Sequence, residues 1–226
     1  MFRKSLQNMA RGDIKGNIAN KFRLKRVKYL MSLIENEKRK PVKILDIGGT
    51  DYYWSALNID KYQELDITLV NISIPENIDK KFKYIQGDGR DLSYFQNKSV
   101  DLIFSNSVIE HTGNFNDQIK FANEIRRVSK KYFIQTPNYF FPFEPHFLVF
   151  GFQFLPIKFR AFLIRNLNFG WYKKTKDYNK SLELAKNIRL LKKKELKTLF
   201  PEGTIIKEKF CGLTKSFMIF YNGHEN

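Results

Sequence analysis

The stretch Val42-Lys43-Ile44-Leu45-Asp46-Ile47-Gly48-Gly49-Thr50 is the most informative in the chain. Behind Pro41, a short apolar run ends in two glycines, as a buried parallel strand does when it opens onto a turn. Glycine carries no Cβ, so a ligand can approach the backbone closely at Gly48 and Gly49. Working outward, Ile67–Ile72, Phe82–Gln86, Val100–Ser105 and Tyr132–Gln135 repeat the apolar form, with mixed helical segments such as Asp117–Ser129 between some of them. Strands that alternate with helices predict an α/β fold with a doubly wound, Rossmann-like, mostly parallel sheet. Lys193–Phe200 reads as a helix and Pro201-Glu202-Gly203 as a turn. Thr204–Phe210 and Ser216–Tyr221 then complete seven strands as an antiparallel C-terminal pair.

The 226 residues suit a single medium domain with additions. Residues 1–40 read as a basic N-terminal helical extension and 41–226 as the main domain. Apolar positions at Phe22, Leu24, Val27, Leu30, Met31 and Ile34 predict an amphipathic basic helix over Asn17–Asn36. Such a helix packs on the sheet of its own domain or lies on a membrane surface. Between the fifth strand and the C-terminal elements lies Asn138–Arg189, too long for a connection and rich in Phe, Pro and Leu. It is expected to form a helical, aromatic-rich insert, bounded as 139–190.

With 42% hydrophobic residues, 22 Phe and 11 Tyr, the chain has ample material for a core and an aromatic-lined site. The lone Cys211 excludes an internal disulfide framework. Met1-Phe2-Arg3-Lys4 is basic, but no apolar run of about 7–15 residues follows, so it does not read as a secretory signal and a cytoplasmic location is expected. No apolar run reaches the ~20 residues needed to span a bilayer; Phe147–Leu155 is too short and ends at Pro156. The net charge of +17 attracts nucleic acid, anionic membrane and phosphorylated metabolites alike, and does not choose among them.

The turn after the first strand departs from the dinucleotide fingerprint, since Gly48-Gly49-Thr50-Asp51-Tyr52-Tyr53 lacks its second and third glycine spacing. A nicotinamide or flavin enzyme is disfavoured. The ordered motifs instead resemble the class I S-adenosylmethionine-dependent methyltransferases, specifically the small bacterial methyltransferase-11-like group with a DIGGT first motif. Val42–Gly49 is similar to the first motif, and Val70-Asn71-Ile72-Ser73 sits where the second strand delivers a ribose-binding residue. Gly87-Asp88-Gly89-Arg90-Asp91-Leu92 looks like the adenine-contacting turn, and Ser99–His111 like the fourth strand and the active-site turn. Thr136-Pro137-Asn138 and the terminal Gly212–Ser216 also look like this group. The resemblance implies S-adenosyl-L-methionine as cofactor, held by Asp46, Gly48, Gly49, Thr50, Asn71, Ser73, Asp88, Gly89, Ser105 and Asn106. Two positions depart from the pattern: Asn71 replaces the usual acid, giving up a charge-assisted hydrogen bond to ribose, and Thr50 replaces a glycine.

Methyl transfer is an in-line displacement on an activated donor, so the protein mainly orients the acceptor and removes its proton. His111, after Glu110 at the turn that faces the methyl group in this family, is the candidate base. The alternative is that Glu110 and His111 are structural. Ubiquinone-pathway and small-RNA methyltransferases place a metal-binding Glu-x-x-Glu-His here; Ser107 stands where the first Glu would be, and no metal is expected.

The insert opens with Tyr139-Phe140-Phe141-Pro142-Phe143-Glu144-Pro145-His146, and Tyr139, Phe143, His146, Phe147 and Phe150 are the expected acceptor-binding residues. The insert covers the acceptor as a lid, dips into an anionic membrane surface with Lys158, Arg160 and Arg165 at its edge, or forms a local core. O-methylation of a small, saccharide or lipid-linked acceptor is the expected function, peripheral contact with the inner membrane surface included. An RNA methyltransferase, and a catalytically inactive methyltransferase-fold binding protein, are the alternatives; no separate RNA-binding module supports nucleic acid as the partner.

Overall fold

A computed structural model of the chain describes residues 18–35, 37, 40–55 and 64–223. In chain order the elements are α1 (Ile18–Glu35), β1 (Val42–Ile47), α2 (Asp51–Ser55), β2 (Leu65–Asn71), β3 (Lys83–Gln86), β4 (Val100–Asn106), a 3-10 turn (Ile109–His111), α3 (Phe115–Val128) and β5 (Ser129–Pro137). Then come β6 (Phe143–Glu144), β7 (Val149–Phe150), a 3-10 turn (Phe152–Phe154), α4 (Ile157–Asn166), α5 (Tyr178–Lys186), α6 (Lys193–Leu199), β8 (Thr204–Phe210) and β9 (Leu213–Tyr221). Seven strands form one sheet in the order β3-β2-β1-β4-β5-β9-β8. β1 to β5 pair in parallel, and β9 runs antiparallel between β5 and β8. This is the doubly wound sheet with an antiparallel C-terminal pair that the sequence predicts.

The central strands β1, β4 and β5 are largely apolar because both faces of the sheet are covered there, while the edge strands β3 and β8 stay partly exposed. Leu45, Ile103 and Ile134 pack with Phe121 and Ile125 of α3 and Leu196 of α6. Ile44, Leu102, Phe104 and Phe133 face the other way, into a cluster with Leu30, Met31, Leu33 and Ile34 of α1. Burial of those four α1 side chains stabilises the docked helix by roughly 1.5–3 kcal/mol each. α1 therefore packs on the sheet rather than standing away from it; residues 1–17 of the expected extension lie outside the described residues, as do the ends Asn17 and Asn36 of the expected helix.

Where element ends differ from expectation, local chemistry gives the reason. α3 starts at Phe115, ahead of Asp117, because Asn114 accepts from Asn116 N (2.8 Å) and Asp117 N (3.3 Å) while Asp117 accepts from Asn114 N (3.0 Å), a reciprocal cap. β5 starts at Ser129, ahead of Tyr132, because its ladder with β4 begins opposite Val100. β9 starts at Leu213, since Cys211 (φ 47°) and Gly212 (φ 79°) make a two-residue hairpin turn from Phe210.

The insert is a substructure of its own. β6 and β7 pair as a small antiparallel ribbon, and α4 packs on α5 around Phe147, Phe152, Ala161, Ile164, Ala185, Ile188 and Leu190. Among the described residues no helix is long and apolar enough to cross a membrane.

Candidate active site

Strand order reverses between β1 and β4, whose register pairs Asp46 with Phe104. In an open α/β sheet ligands sit in the crevice beyond the strand ends at such a reversal. The C-terminal ends of β1, β2 and β4 and the turns after β1, β2, β3 and β4 carry the expected cofactor residues, Glu110 and His111.

At the first turn Gly48 has φ 74°, and a Cβ there would lie 2.5 Å from Val108 Cγ2. A Cβ on Gly49 would lie 1.7 Å from Asp46 Oδ2, so both glycines are required by the local packing. Asp46 is 1% exposed; Trp54 Nε1 donates to its Oδ2 at 2.6 Å, and its Oδ1 has no hydrogen-bond partner. Burial raises the Asp46 pKa to about 7, against the opposing pull of Trp54. Thr50 is exposed and its Oγ1 accepts from Tyr53 N at 3.3 Å, so it caps the short α2 in place of continuing the glycine loop.

Asn71 Nδ2 donates to Gly49 O at 2.7 Å. The amide that replaces the usual acid thus fastens the glycine turn to β2 and keeps Oδ1 for another partner. Ser73 is exposed two residues on. Asp88 is engaged by Arg90, whose Nε lies 3.0 Å from each of its oxygens and whose Nη2 lies 2.5 Å from Oδ2. Those hydrogen bonds hold the Asp88 carboxyl below its usual pKa. Arg90 also donates to Thr112 O at 3.0 Å, tying this turn to the one after β4. The buried Gly89 has a packing role, because a Cβ there would meet Phe121 at 2.6 Å and Ile47 at 2.7 Å. Ser105 is buried and donates to Ile47 O at 3.2 Å, while Asn106 Oδ1 accepts from Arg26 Nη1 at 2.9 Å.

After β4 the chain turns at Ser107, a non-glycine residue with φ 57°, whose hydroxyl donates to Gln135 Oε1 at 2.8 Å. A left-handed backbone at such a residue costs of order 1–3 kcal/mol and concentrates at functional sites. Glu110 is fully buried, accepting from Thr136 Oγ1 at 2.9 Å, with Oε1 lacking a hydrogen-bond partner. Burial pushes its carboxyl above the usual range, opposed by His146. His111 stands with its ring 4.7 Å from that of His146, edge to face. Although its surface is open, desolvation at its base and repulsion by His146 lower its pKa to about 4, so it is neutral near pH 7. His146 Nδ1 lies 2.6 Å from Glu144 Oε1, and Glu144 outweighs the desolvation of the ring to leave the His146 pKa raised. One ligand atom each from Glu110, His111 and His146 fall within 4.8 Å of one another.

The acceptor residues expected in the insert separate. Tyr139 and Phe147 line a cavity of about 210 Å³, and Glu144, which holds His146, forms part of its wall. Phe143 sits half-buried on β6 opposite Phe150. Phe150 is 76% exposed and lies outside this cavity, because the ribbon turns it outward while Phe147 packs its ring against Phe152 and Tyr172.

Sequence reasoning missed one central group. Arg26 Nε and Nη2 reach both oxygens of Glu208 at 2.9 and 2.6 Å, and Ser216 Oγ donates to the same carboxylate. Its signal lay in Phe22, Arg26 and Leu30, a charged residue on an apolar stripe at i, i+4 spacing.

Residues 45–132 match the family model of the methyltransferase domain. No sequence among the curated proteins matches the chain. Among solved structures, a SAM-dependent methyltransferase from Methanosarcina mazei is 14% identical with a TM-score of 0.50, covering 83% of this chain and 95% of that one. The 1,6-didemethyltoxoflavin-N1-methyltransferase of Burkholderia thailandensis, solved with its substrate and S-adenosylhomocysteine, is 11% identical with a TM-score of 0.51, covering 87% and 75%. A candidate sarcosine dimethylglycine methyltransferase from Galdieria sulphuraria is 18% identical with a TM-score of 0.43, covering 53% of this chain, which spans 46% of that protein. Over residues 45–132 the chain matches the methyltransferase family model, and the strand order with the glycine turn at the sheet reversal gives it the fold of the class I S-adenosylmethionine-dependent methyltransferases.

Proposed function

We propose that the chain transfers a methyl group from S-adenosylmethionine to a hydroxyl of a small, saccharide or lipid-linked acceptor. The observation that carries this reading is the placement of His111 and the Gly48–Gly49 turn at the ends of adjacent strands, with the insert folded back so that His146 touches His111. The donor supplies a methyl group on a positively charged sulfur. Unpaired Asp46 Oδ1 suits its ammonium, the open backbone at Gly48 and Gly49 suits close approach, and Asn71 Oδ1 suits a ribose hydroxyl. Neutral His111 can take the acceptor's proton, and the neighbouring His146, held by Glu144, disfavours keeping it, so the proton leaves through the open face of His111. His111→Ala is expected to retain S-adenosylhomocysteine affinity in calorimetry and lose 10²–10⁴-fold in turnover, the usual order for a general base; collapse of binding would make His111 structural.

Exposed Phe140, Phe150, Phe154, Phe159 and Phe162 on the insert, with Lys158 and Arg165 on α4, support a lipid-linked acceptor met at the inner membrane surface. Phe150→Ala is expected to change stability by no more than about 0.5 kcal/mol while lowering association with anionic vesicles. Phe147→Ala, in contrast, is expected to cost about 3–5 kcal/mol. Denaturant melts and vesicle sedimentation check the pair, and equal effects would refute the division. Methyl-label transfer into separated lipid, saccharide and RNA fractions tests the acceptor class. Label confined to RNA would establish the RNA alternative, and no S-adenosylhomocysteine binding by folded protein would establish an inactive binding protein.

A second reading is favoured by the close approach of Glu110, His111 and His146. Together they supply one carboxylate and two imidazoles, and Glu144 orients His146 as carboxylates orient metal-bound imidazoles. Under this reading turnover falls on chelation and returns with a divalent cation; turnover unchanged by chelation excludes it.

A further inference from the structure

Two polar atoms at the cavity in the insert have no hydrogen-bond partner, and they are of opposite kinds. Gln153 is 7% exposed, and its Nε2 donates to the carbonyls of Tyr139 at 3.2 Å and Phe141 at 2.6 Å. Two carbonyl partners fix the NH₂ side of the amide, which leaves Oε1 as a buried, unmet acceptor. Arg160 Nε is a buried, unmet donor from α4. The carboxylates beside them are already engaged. Glu144 Oε2 accepts from His146 N at 2.7 Å and Phe147 N at 2.6 Å while Oε1 faces His146, and Glu195 pairs with Arg189. Lys192 adds a second cation on the lining, 5.1 Å from the Tyr139 ring centroid.

Leaving a buried donor and a buried acceptor unmet costs about 1–3 kcal/mol each, more for the charged group. A ligand that brings an oxyanion to Arg160 and a hydroxyl to Gln153 removes both costs at once. Arg160 and Lys192 together match a dianion better than a monoanion. At about 210 Å³ the space is below the 300–1,000 Å³ of pockets for drug-sized molecules, so it takes a small ligand or one end of a larger one.

We propose that this cavity is a subsite for the phosphate end of a hydroxylated phosphate ester, with Arg160 binding the oxyanion and Gln153 accepting from a neighbouring hydroxyl. Its identification with the methyl acceptor rests on the function proposed above, through Glu144, which walls the cavity and holds His146 beside His111. The phosphate can belong to a soluble ester or to a lipid headgroup.

Calorimetry on the full chain tests this with glycerol 3-phosphate, inorganic phosphate and glycerol as probes, and S-adenosylhomocysteine titrated in parallel. Saturable binding of glycerol 3-phosphate and none of glycerol is expected. Arg160→Met should weaken glycerol 3-phosphate at least tenfold. Gln153→Leu should weaken glycerol 3-phosphate several-fold and leave inorganic phosphate unchanged. Thermal melts establish that each variant is folded, and Arg160→Lys, which keeps the charge without the fork, serves if the methionine variant is not. Competition by phosphatidic acid vesicles assigns the headgroup source, and its absence the soluble one. Folded wild type that binds S-adenosylhomocysteine and no phosphate ester overturns the subsite alone, as does Arg160→Met binding like wild type. Phosphate-ester binding without S-adenosylhomocysteine binding keeps the subsite and overturns the methyltransferase reading.

Discussion

Glu208→Ala is expected to lower the unfolding free energy by about 3–5 kcal/mol, because it leaves the Arg26 guanidinium buried without its counter-charge. Both side chains are almost wholly enclosed, and Arg26 bonds Glu208 through two nitrogens. Replacing both partners by apolar groups, as in Arg26→Met with Glu208→Leu, should recover most of the loss, since desolvation of the ions is then removed with their attraction. The pH dependence follows. Burial alone would raise the Glu208 pKa, but the hydrogen bonds from Arg26 and Ser216 outweigh it and hold the carboxyl below its usual range. A depressed folded pKa gives stability that is present above the unfolded value of about 4.3 and lost as pH falls through the folded one. Urea melts of wild type and Glu208→Gln between pH 3 and 7 should therefore converge toward the acid end. A constant difference across that range would mean that shape alone is responsible. Because Arg26 also reaches Asn106, donor affinity should fall with Glu208→Ala in the protein that remains folded.

Asp46→Asn is expected to act in opposite directions on stability and on donor binding. With its pKa raised to about 7, Asp46 favours the folded state when protonated. That contribution is fully present below the unfolded value of 3.8 and is lost as pH rises through about 7. At pH 8 the buried carboxylate costs the fold up to about 4 kcal/mol, at 1.36 kcal/mol per pKa unit, and asparagine relieves most of that. In the proposed function the donor's ammonium pairs with the ionised form, so S-adenosylhomocysteine affinity should rise about tenfold per pH unit below 7 and flatten above it. Asparagine should abolish this slope and weaken binding at pH 8 by about 1.5–3 kcal/mol, the range for a hydrogen bond to a charged group. Calorimetry in buffers of different ionisation enthalpy reads the released proton directly. A flat affinity profile in wild type would show that Asp46 serves only to hold Trp54.

The strands were legible in the sequence because burial on both faces leaves near-continuous apolar runs, and Val42–Ile47 stands where its residues placed it. The glycine turn was legible as an approach to the backbone, yet not that Gly49 also makes room for Asp46. The Arg26–Glu208 pair joins residues 182 apart in sequence, and no local period reports a partner at that distance. Asp88 and Arg90 are two apart in sequence, a spacing at which a turn brings opposite charges together, so their pairing is legible locally. In the insert, composition marked an apolar stretch without sorting it. Phe147 and Phe150 are three apart, and the left-handed Leu148 followed by β7 sends one into the core and the other to the surface.

The bond from Arg26 to Glu208 and Asn106 joins a helix that precedes β1 to the last hairpin of the sheet. A nascent chain that has emerged as far as β5 already has every strand bearing a donor-site residue, yet Arg26 still lacks its carboxylate. Such a chain would present the donor crevice half-built, its helix held by apolar contacts and by Arg26 on Asn106, with the guanidinium short of its counter-charge. Competence for the ligand would then arrive abruptly, when residue 208 clears the ribosome tunnel and the hairpin closes.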